Sequence, residues 1–275
     1  MGCLRVKEFI GVVGKTKDIT SICSIEKKYL DDNYSTIGSR KTAYSAYRKG
    51  FKESFLNENL KEKCINTFKL TREEMSEYKQ DYNSKVVAEH DNLKLIFNYK
   101  EYIKKAVSLL DAKNYPDKVL GFAALTGRRV GEIGCTADFL FKNKQEVTFT
   151  GQLKTRVEED DVYYDIPVLY NSEDLIKKFE DFRNVYIQYL NLPEKFHNNI
   201  SKYLSLNVKK HFSEFVEGDV TPKDLRSIYS TIVLATMKKN KSQSDQRYVA
   251  VILGHGDDDL NTSNSYFDYV LSEKY

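Results

Sequence analysis

Apolar positions recur every three to four residues along most of this chain, which is the spacing of helices that bury one face. One such stripe near residue 100 consists of Tyr102, Ile103, Ala106, Leu109 and Leu110. The next segment, NYPDKVLGFAALTG, is apolar almost all round and predicts a buried helix that begins near Pro116 and ends at Gly127. Four further helical patterns follow between residues 172 and 254.

Two short runs rich in β-branched and aromatic residues interrupt the helical pattern. EVTFTGQ (146–152) and DVYYDIP (161–167) flank the charged segment LKTRVEED and predict a β-hairpin. A polar stretch before residue 98 indicates a domain boundary. We therefore predict a mainly α (α+β) fold, with a helical domain over residues 1–97 and a second domain over residues 98–275 that combines helices with a small sheet.

The N-terminal domain contains a basic and aromatic helix between Ser39, its predicted cap, and Phe55. Tyr44, Tyr47, Phe51 and Phe55 share one face of this helix, and Lys41, Arg48 and Lys52 share another. Two interpretations stay open at this point: a solvated basic surface on an ordinary amphipathic helix, or a helix that lies against a nucleic-acid backbone through these three cations.

Charge supports the second interpretation, because the basic excess is concentrated at the front of the chain. The 43 Lys and Arg exceed the 40 Asp and Glu by only +3 overall. Residues 1–100 carry 19 basic and 14 acidic side chains, a net of +5, and the remainder carries 24 and 26, a net of −2. A local basic surface on the N-terminal domain therefore remains compatible with DNA binding.

Several protein classes are excluded. No run approaches 18 apolar residues, so we predict no transmembrane helix and no membrane partner. The four cysteines are scattered and the four histidines lack ligand spacing, which predicts buried thiols, a cytoplasmic protein and no metal site. The sequence also lacks a phosphate-binding glycine loop, and we expect no cofactor.

Polar residues placed at the ends of the buried helices and in the hairpin turn form a candidate site. They are Arg129, Lys154, Lys223, Arg226, His255 and Tyr266. Guanidinium groups bind the non-bridging oxygens of a phosphodiester, and a lysine can protonate a departing alkoxide. A tyrosine oxygen can act as the nucleophile. The set therefore indicates phosphoryl transfer on DNA without a metal ion.

Three motifs in this set resemble those of the tyrosine recombinases, over roughly the last 170 residues. T-G-R-R-V-G-E (126–132) resembles the first arginine box, K-D-L-R (223–226) the second, and L-G-H (253–255) the third. The resemblance implies that Arg129 and Arg226 bind the phosphate, that Glu132 supports Arg129, and that Lys154 is the general acid. It also implies a nucleophilic tyrosine after the third box, for which Tyr266 is the first candidate.

Two departures from the usual tyrosine recombinase pattern resemble one branch of that family, the telomere resolvases or protelomerases. Lys223 replaces the usual histidine of the second box, and Tyr266 lies eleven rather than nine residues after His255. The D-L-R-x-x-Y phrase ending at Tyr229 is also similar to that branch. The resemblance implies cleavage through a 3′-phosphotyrosine and resealing of each end as a DNA hairpin. Nine residues follow Tyr266, and we expect no further C-terminal DNA-binding domain.

Some alternatives stay open at the level of sequence. Tyr269 and Tyr248 are rival nucleophiles, and we expect Arg128 to contact the DNA backbone beside Arg129. The chain could instead be a phage or mobile-element integrase, or a catalytically inactive DNA-binding protein on the same scaffold. The expected partner is double-stranded DNA with an inverted repeat, bound by a dimer in the cytoplasm of a bacterium or a phage-infected cell.

Overall fold

The structure, a computed structural model, describes residues 2–153, 162–238, 240, 242–255 and 266–272. The chain divides into two compact units, Met1–Val87 and Ala88–Tyr275. This division comes ten residues before the boundary expected between residues 97 and 98. The difference arises because Lys94–Ile96 forms a strand that pairs with Tyr269–Leu271 and so belongs to the second unit.

The first unit is helical throughout its described part, in keeping with its 3.6-residue periodicity. Its helices are α1 (Gly2–Val13), α2 (Ile19–Asn33), α3 (Ile37–Glu53), α4 (Glu58–Thr67) and α5 (Arg72–Asp91). The predicted aromatic stripe on α3 forms its core: Tyr44, Tyr47 and Phe51 are buried. The Phe68 ring stacks on Tyr47 with centroids 4.8 Å apart, and it also contacts Tyr44 and Phe51.

Two details of α3 differ from the prediction. The side chain of Thr36, not Ser39, caps the helix by accepting a hydrogen bond from the Ser39 backbone N–H at 3.2 Å. Phe55 lies beyond the last helical residue, Glu53, and its side chain is fully exposed. The helical spacing of Phe55 was therefore misleading, because the helix ends before the residue that would have continued its apolar face.

The second unit contains seven longer helices and five strands in its described part, together with two short 3₁₀ turns (Ile187–Tyr189 and Ser213–Phe215). The helices are α6 (Tyr99–Leu110), α7 (Tyr115–Thr126), α8 (Val130–Cys135), α9 (Ser172–Val185), α10 (Pro193–Phe212), α11 (Asp224–Met237) and α12 (Asp245–Ile252). The strands are β1 (Lys94–Ile96), β2 (Asp138–Asn143), β3 (Glu146–Thr150), β4 (Tyr164–Pro167) and β5 (Tyr269–Leu271).

The predicted hairpin is confirmed, as part of a larger sheet. β3 pairs antiparallel with β4, placing Val147 opposite Ile166 and Phe149 opposite Tyr164. β2 pairs with the other edge of β3. β2 was not predicted because only Phe139 of its residues is buried, so its sequence lacks a two-residue apolar period. β1 and β5 form a separate parallel pair of only three residues each.

The buried helix α7 ends inside the first arginine box, directly before its two arginines. Asn114 caps it, Pro116 occupies its first turn, and Gly127 ends it in the left-handed conformation with a φ of 66°. A Cβ at Gly127 would lie 2.2 Å from the Tyr229 ring, so no larger residue fits without a shift. Glycine is therefore required at this turn for both backbone and steric reasons. No helix in the described part of the chain is long and apolar enough to cross a membrane.

Candidate active site

Arg129 and Glu132 form the first half of the site, at the start of α8. Arg129 is the N-cap residue, and its backbone N–H donates to Glu132 Oε2 at 2.9 Å. The Arg129 side chain closes the same loop, since Nη1 donates to Glu132 Oε1 at 2.6 Å. Glu132 is fully buried, whereas 26% of the Arg129 side chain is exposed. The carboxylate thus holds the arginine by its backbone N–H and by one guanidinium nitrogen, while about a quarter of the side chain stays accessible.

Electrostatics keep this carboxylate charged although it is buried. Burial alone would raise the pKa of Glu132, but the guanidinium groups of Arg128, Arg226 and Arg129 together hold it below its ordinary value. The pKa of Arg129 is raised in turn: burial lowers it, but Glu132 more than compensates, and Tyr266 adds a smaller effect. One negative charge is therefore shared among three arginines, and the site keeps a net positive charge.

Arg226 on α11 ties the three motifs together. Its Nη1 donates to the carbonyl of Gly127 at 3.0 Å, and its Nη2 donates to the carbonyl of Leu253. The side chain is 3% exposed. Burial, and then repulsion by Arg128, lower its pKa to about 10, so it stays protonated at neutral pH. Its Nε–H has no hydrogen-bond partner in the described part of the protein.

Tyr266 lies against this cluster. Its ring centroid is 5.2 Å from Arg226 Cζ and 5.4 Å from the centre of the His255 ring. The Tyr266 backbone carbonyl accepts a hydrogen bond from Ser230 Oγ at 3.3 Å, which anchors it to α11. The structure therefore brings Tyr266, His255, Arg226, Arg129 and Glu132 together, although they span more than half of the chain.

The rival tyrosines lie in other surroundings. Tyr269 is buried in β5, and burial together with Asp224 and Asp268 raises the pKa of its hydroxyl. Burial and Glu146 raise the pKa of Tyr248 on α12. Among these three candidates, Tyr266 is the one whose ring contacts, in the described residues, include both an arginine and the histidine of the predicted site.

Arg128 corrects one prediction. We expected it to contact DNA, but its side chain is 1% exposed and is occupied within the protein. Nε donates to the Thr126 carbonyl at 3.3 Å, Nη2 donates to the Ile252 carbonyl at 2.6 Å, and Nη1 donates to the Tyr164 hydroxyl. Arg128 thus joins the first box to the end of α12, and each of its three guanidinium nitrogens already donates a hydrogen bond within the protein.

Of the two lysines in the predicted site, the structure describes only Lys223. Lys223 occupies the N-cap position of α11, three residues before Arg226, but its exposed side chain makes no capping hydrogen bond. No hydrogen bond or ion pair joins it to the buried cluster within the described residues. Lys154 lies outside the described residues, as do the acidic residues 257–259. Within the ranges that the structure describes, no group of three or more His, Cys, Asp or Glu could hold a metal ion.

The basic residues of α3 have different environments. The Lys41 ammonium lies 3.9 Å from the centre of the Tyr78 ring, and Arg48 Nη1 donates to the Phe68 carbonyl at 2.6 Å. Arg48 therefore supports the end of α4 as well as contributing charge. Lys52 is exposed and has no ion pair or hydrogen bond in the described part of the chain. Of these three residues, Lys52 is the most available to a ligand.

Two further residues near the site were missed by the sequence analysis. The Tyr164 hydroxyl at the start of β4 donates to Gln152 Oε1 at 2.7 Å, and Gln152 Nε2 donates to the Gly254 carbonyl at 2.9 Å. Both belong to the predicted hairpin, but neither is part of a motif. Their contact with the L-G-H segment crosses 102 residues of sequence and leaves no local signal.

Comparison with known proteins agrees with this geometry. Residues 92–269 match the family model described as the telomere resolvase ResT/TelK catalytic domain. The protelomerase of Yersinia phage PY54 is 28% identical over 161 residues, which cover 54% of this chain and 26% of that protein. The chain thus matches about a quarter of the length of this curated relative.

Solved structures of protelomerases share the fold. Protelomerase TelA covalently complexed with substrate DNA has a TM-score of 0.87 at 22% identity, covering 98% of this chain and 88% of that chain. A mutant of the same protein complexed with a DNA hairpin product matches with the same TM-score, identity and coverage. Protelomerase TelK complexed with substrate DNA has a TM-score of 0.63 at 19% identity, covering 100% of this chain and 59% of that chain.

The mainly helical recombinase-like fold predicted from the motifs is confirmed by these likenesses. The matched family model spans more than half of the chain and includes the arginine boxes, the L-G-H segment and Tyr266. The chain therefore belongs to the telomere resolvase family defined by the ResT/TelK catalytic domain.

Proposed function

We propose that this protein resolves replicated telomeres, by cutting DNA through Tyr266 and resealing each end as a covalently closed hairpin. The observation that carries the proposal is the contact of Tyr266 with Arg226 and His255, beside Arg129 and Glu132, in a chain of this family. Relatives with the same fold are described as covalently complexed with substrate DNA and as complexed with a hairpin product.

The proposed reaction has two balanced steps. In the first, the Tyr266 hydroxyl oxygen attacks the phosphorus and its proton passes to the neighbouring His255, a 3′-phosphotyrosine bond forms, and the bond to the 5′ oxygen breaks. Lys154 donates a proton to that leaving oxygen, in the role implied by the family motifs. In the second, the 5′-hydroxyl of the opposite strand attacks the phosphorus of the phosphotyrosine and gives its proton to Lys154, while the tyrosine leaves and takes its proton back from His255. One phosphodiester is broken and one is formed, so the covalent link conserves the bond energy.

The arginines suit stabilisation of the transition state. Arg226 is held by two backbone carbonyls and Arg129 by the buried carboxylate of Glu132, so both guanidinium groups are oriented before DNA binds. Preorganised donors of this kind need no rearrangement when charge develops on the phosphoryl oxygens. The unpartnered Nε–H of Arg226 is a donor that a phosphoryl oxygen would satisfy. In the same step, Lys223 would add positive charge and His255 would carry a proton.

The partner is proposed to be a double-stranded inverted-repeat site, bound by two copies of the chain in the cytoplasm of a bacterium or phage-infected cell. Two symmetric cuts require two active sites related by the symmetry of the DNA. The basic face of α3, with Lys41, Arg48 and Lys52, would contact the phosphate backbone without reading sequence.

The proposal is tested by incubating the protein with an inverted-repeat duplex and analysing the products on denaturing gels. Wild type should give snap-back hairpins and a covalent protein–DNA adduct on a nicked suicide substrate. Tyr266→Phe should abolish the adduct, and Tyr269→Phe is the matched control that should retain it. Strand exchange without hairpins would indicate an integrase, and absence of any adduct with wild type would contradict catalysis.

A further inference from the structure

Four residues of the second unit form a hydrogen-bonded chain that runs from the first arginine box to the L-G-H segment. Arg128 donates to the Tyr164 hydroxyl, Tyr164 donates to Gln152, and Gln152 donates to the carbonyl of Gly254. Each middle group accepts from one side and donates to the other, so the direction of the chain is consistent. Such chains polarise their members and hold them in one geometry.

The last link lies directly beside a residue of the candidate site. Gly254 precedes His255, whose backbone N–H donates to the Ala250 carbonyl at 2.9 Å at the end of α12. The peptide between Gly254 and His255 is therefore held on the carbonyl side by Gln152 and on the N–H side by α12. Its orientation sets the direction in which the His255 side chain leaves the backbone, toward the ring of Tyr266.

Close packing reinforces these hydrogen bonds. Gly254 has a φ of 69°, and a Cβ there would lie 2.1 Å from the Tyr164 hydroxyl oxygen and 2.3 Å from Gln152 Oε1. The backbone of the turn thus rests on the two side chains, which leave room for no larger residue. Burial raises the pKa of Tyr164, so its hydroxyl keeps its proton at neutral pH and can donate to Gln152.

We propose that Tyr164 and Gln152 are positioning residues for His255, which they act on through the Gly254 carbonyl and the turn packed against them. In this role they act through the protein backbone and need no contact with the reacting phosphate. The inference rests on the proposed function, because it assigns the pair to a histidine that takes part in DNA cleavage. It predicts that the pair affects the rate of cleavage and not the affinity for DNA.

The test uses single-turnover cleavage of a suicide substrate by the whole protein, beside the DNA dissociation constant and the melting temperature. Gln152→Met removes the hydrogen bonds to Tyr164 and to the Gly254 carbonyl while keeping a side chain of similar length. Tyr164→Phe removes only the hydroxyl group. Each should slow cleavage about tenfold, as expected for the loss of roughly one hydrogen bond, while changing the dissociation constant less than about twofold. Tyr163→Phe, at an exposed neighbouring tyrosine, is the matched control and should cleave at the wild-type rate.

A double-mutant cycle with His255→Ala separates positioning from a general structural role. If the pair acts through His255, adding Gln152→Met to His255→Ala should slow cleavage less than about twofold further. Full additivity of the two defects, or a wild-type rate for both single variants at Gln152 and Tyr164, would overturn the inference. If Tyr164→Phe fails to fold, Gln152→Met, which leaves Arg128 and Tyr164 in place, decides the question.

Failure of the proposed function would look different in the same experiments. If wild type forms no adduct, or if His255→Ala alone cleaves at the wild-type rate, the reaction or the role of His255 is wrong. If the adduct forms and His255→Ala cleaves slowly, the proposed reaction is supported. The positioning inference is then tested by the variants at Gln152 and Tyr164 alone.

Discussion

Neighbouring residues in the first arginine box have opposite environments. Arg128 turns into the core and donates to two backbone carbonyls and a tyrosine hydroxyl, while Arg129 turns toward Glu132 and stays partly exposed. Gly127, with its positive φ, ends α7 immediately before them and makes the abrupt change of direction possible. The motif spacing singled out Arg129, but burial of Arg128 depends on Ile252, which lies 124 residues away in sequence.

A prediction at this scale concerns Glu132 and pH. Its folded pKa lies below the ordinary value, so the charged carboxylate stabilises the folded state above the unfolded pKa of about 4.3. This contribution is lost as the pH falls from there through the folded pKa. Glu132→Gln should therefore lower the free energy of unfolding by about 1 to 3 kcal/mol at pH 7, and by less under acidic conditions.

The measurement is urea unfolding of wild type and Glu132→Gln at pH 7 and at several values below 4.3. Glu101→Gln is a suitable control, because Glu101 lies at the surface and pairs with Lys104. A difference between wild type and Glu132→Gln that stays constant with pH would contradict a charge-based role.

At the scale of elements, the helices agree with the periodicity of the sequence, whereas strands β1, β2 and β5 have no sequence pattern that predicts them. The stripe on α6 and the limits of α7 at Pro116 and Gly127 agree with the sequence pattern. β1 and β5 are three residues long, and β2 exposes most of its side chains, so no local pattern distinguishes them. Their pairing depends on partners far along the chain, as with Lys94 and Tyr269.

The turn between α7 and α8 allows a prediction with a matched control. Gly127 and Gly218 both have positive φ, at 66° and 76°. A Cβ added at Gly127 would clash with the Tyr229 ring, whereas a Cβ added at Gly218 would meet no atom within 4 Å. Gly218→Ala should cost about 1 to 2 kcal/mol from backbone strain alone. Gly127→Ala should cost about 1 to 3 kcal/mol more, because Tyr229 must also move.

Chemical unfolding of both variants measures this difference in free energy. The Tyr229 hydroxyl donates to the Pro167 carbonyl at 2.6 Å, so its movement would also disturb β4. Equal losses for the two variants would show that the contact between the turn and Tyr229 relaxes freely and contributes nothing beyond backbone strain.

The whole molecule separates its charge between two units. The first hundred residues carry a net of +5, and the described cations of α3 include an exposed Lys52. The second unit places Arg226 against the Tyr266 ring and pairs Arg129 with the buried carboxylate of Glu132. This distribution agrees with the proposed function, in which the first unit would supply affinity for DNA and the second would supply the chemistry.

A prediction for the whole molecule is the salt dependence of DNA binding. Lys52→Gln should weaken binding to all duplex sequences alike and reduce the slope of log affinity against log salt by about 1. Lys49→Gln is the matched control, because Lys49 lies on the same helix but pairs with Glu53. Fluorescence anisotropy across a salt series measures both slopes, and an unchanged slope for Lys52→Gln would remove it from the DNA interface.

The amino-acid sequence by itself determined the helices, the hairpin and the order of the three motifs, because periodicity and motif spacing are local properties. It also indicated the telomere resolvase family through Lys223 and the eleven-residue step to Tyr266. Only the tertiary structure decided that Arg128 is buried and that Tyr164 and Gln152 support the turn at Gly254. Those contacts join segments about a hundred residues apart, and packing in three dimensions rather than any local pattern selects them.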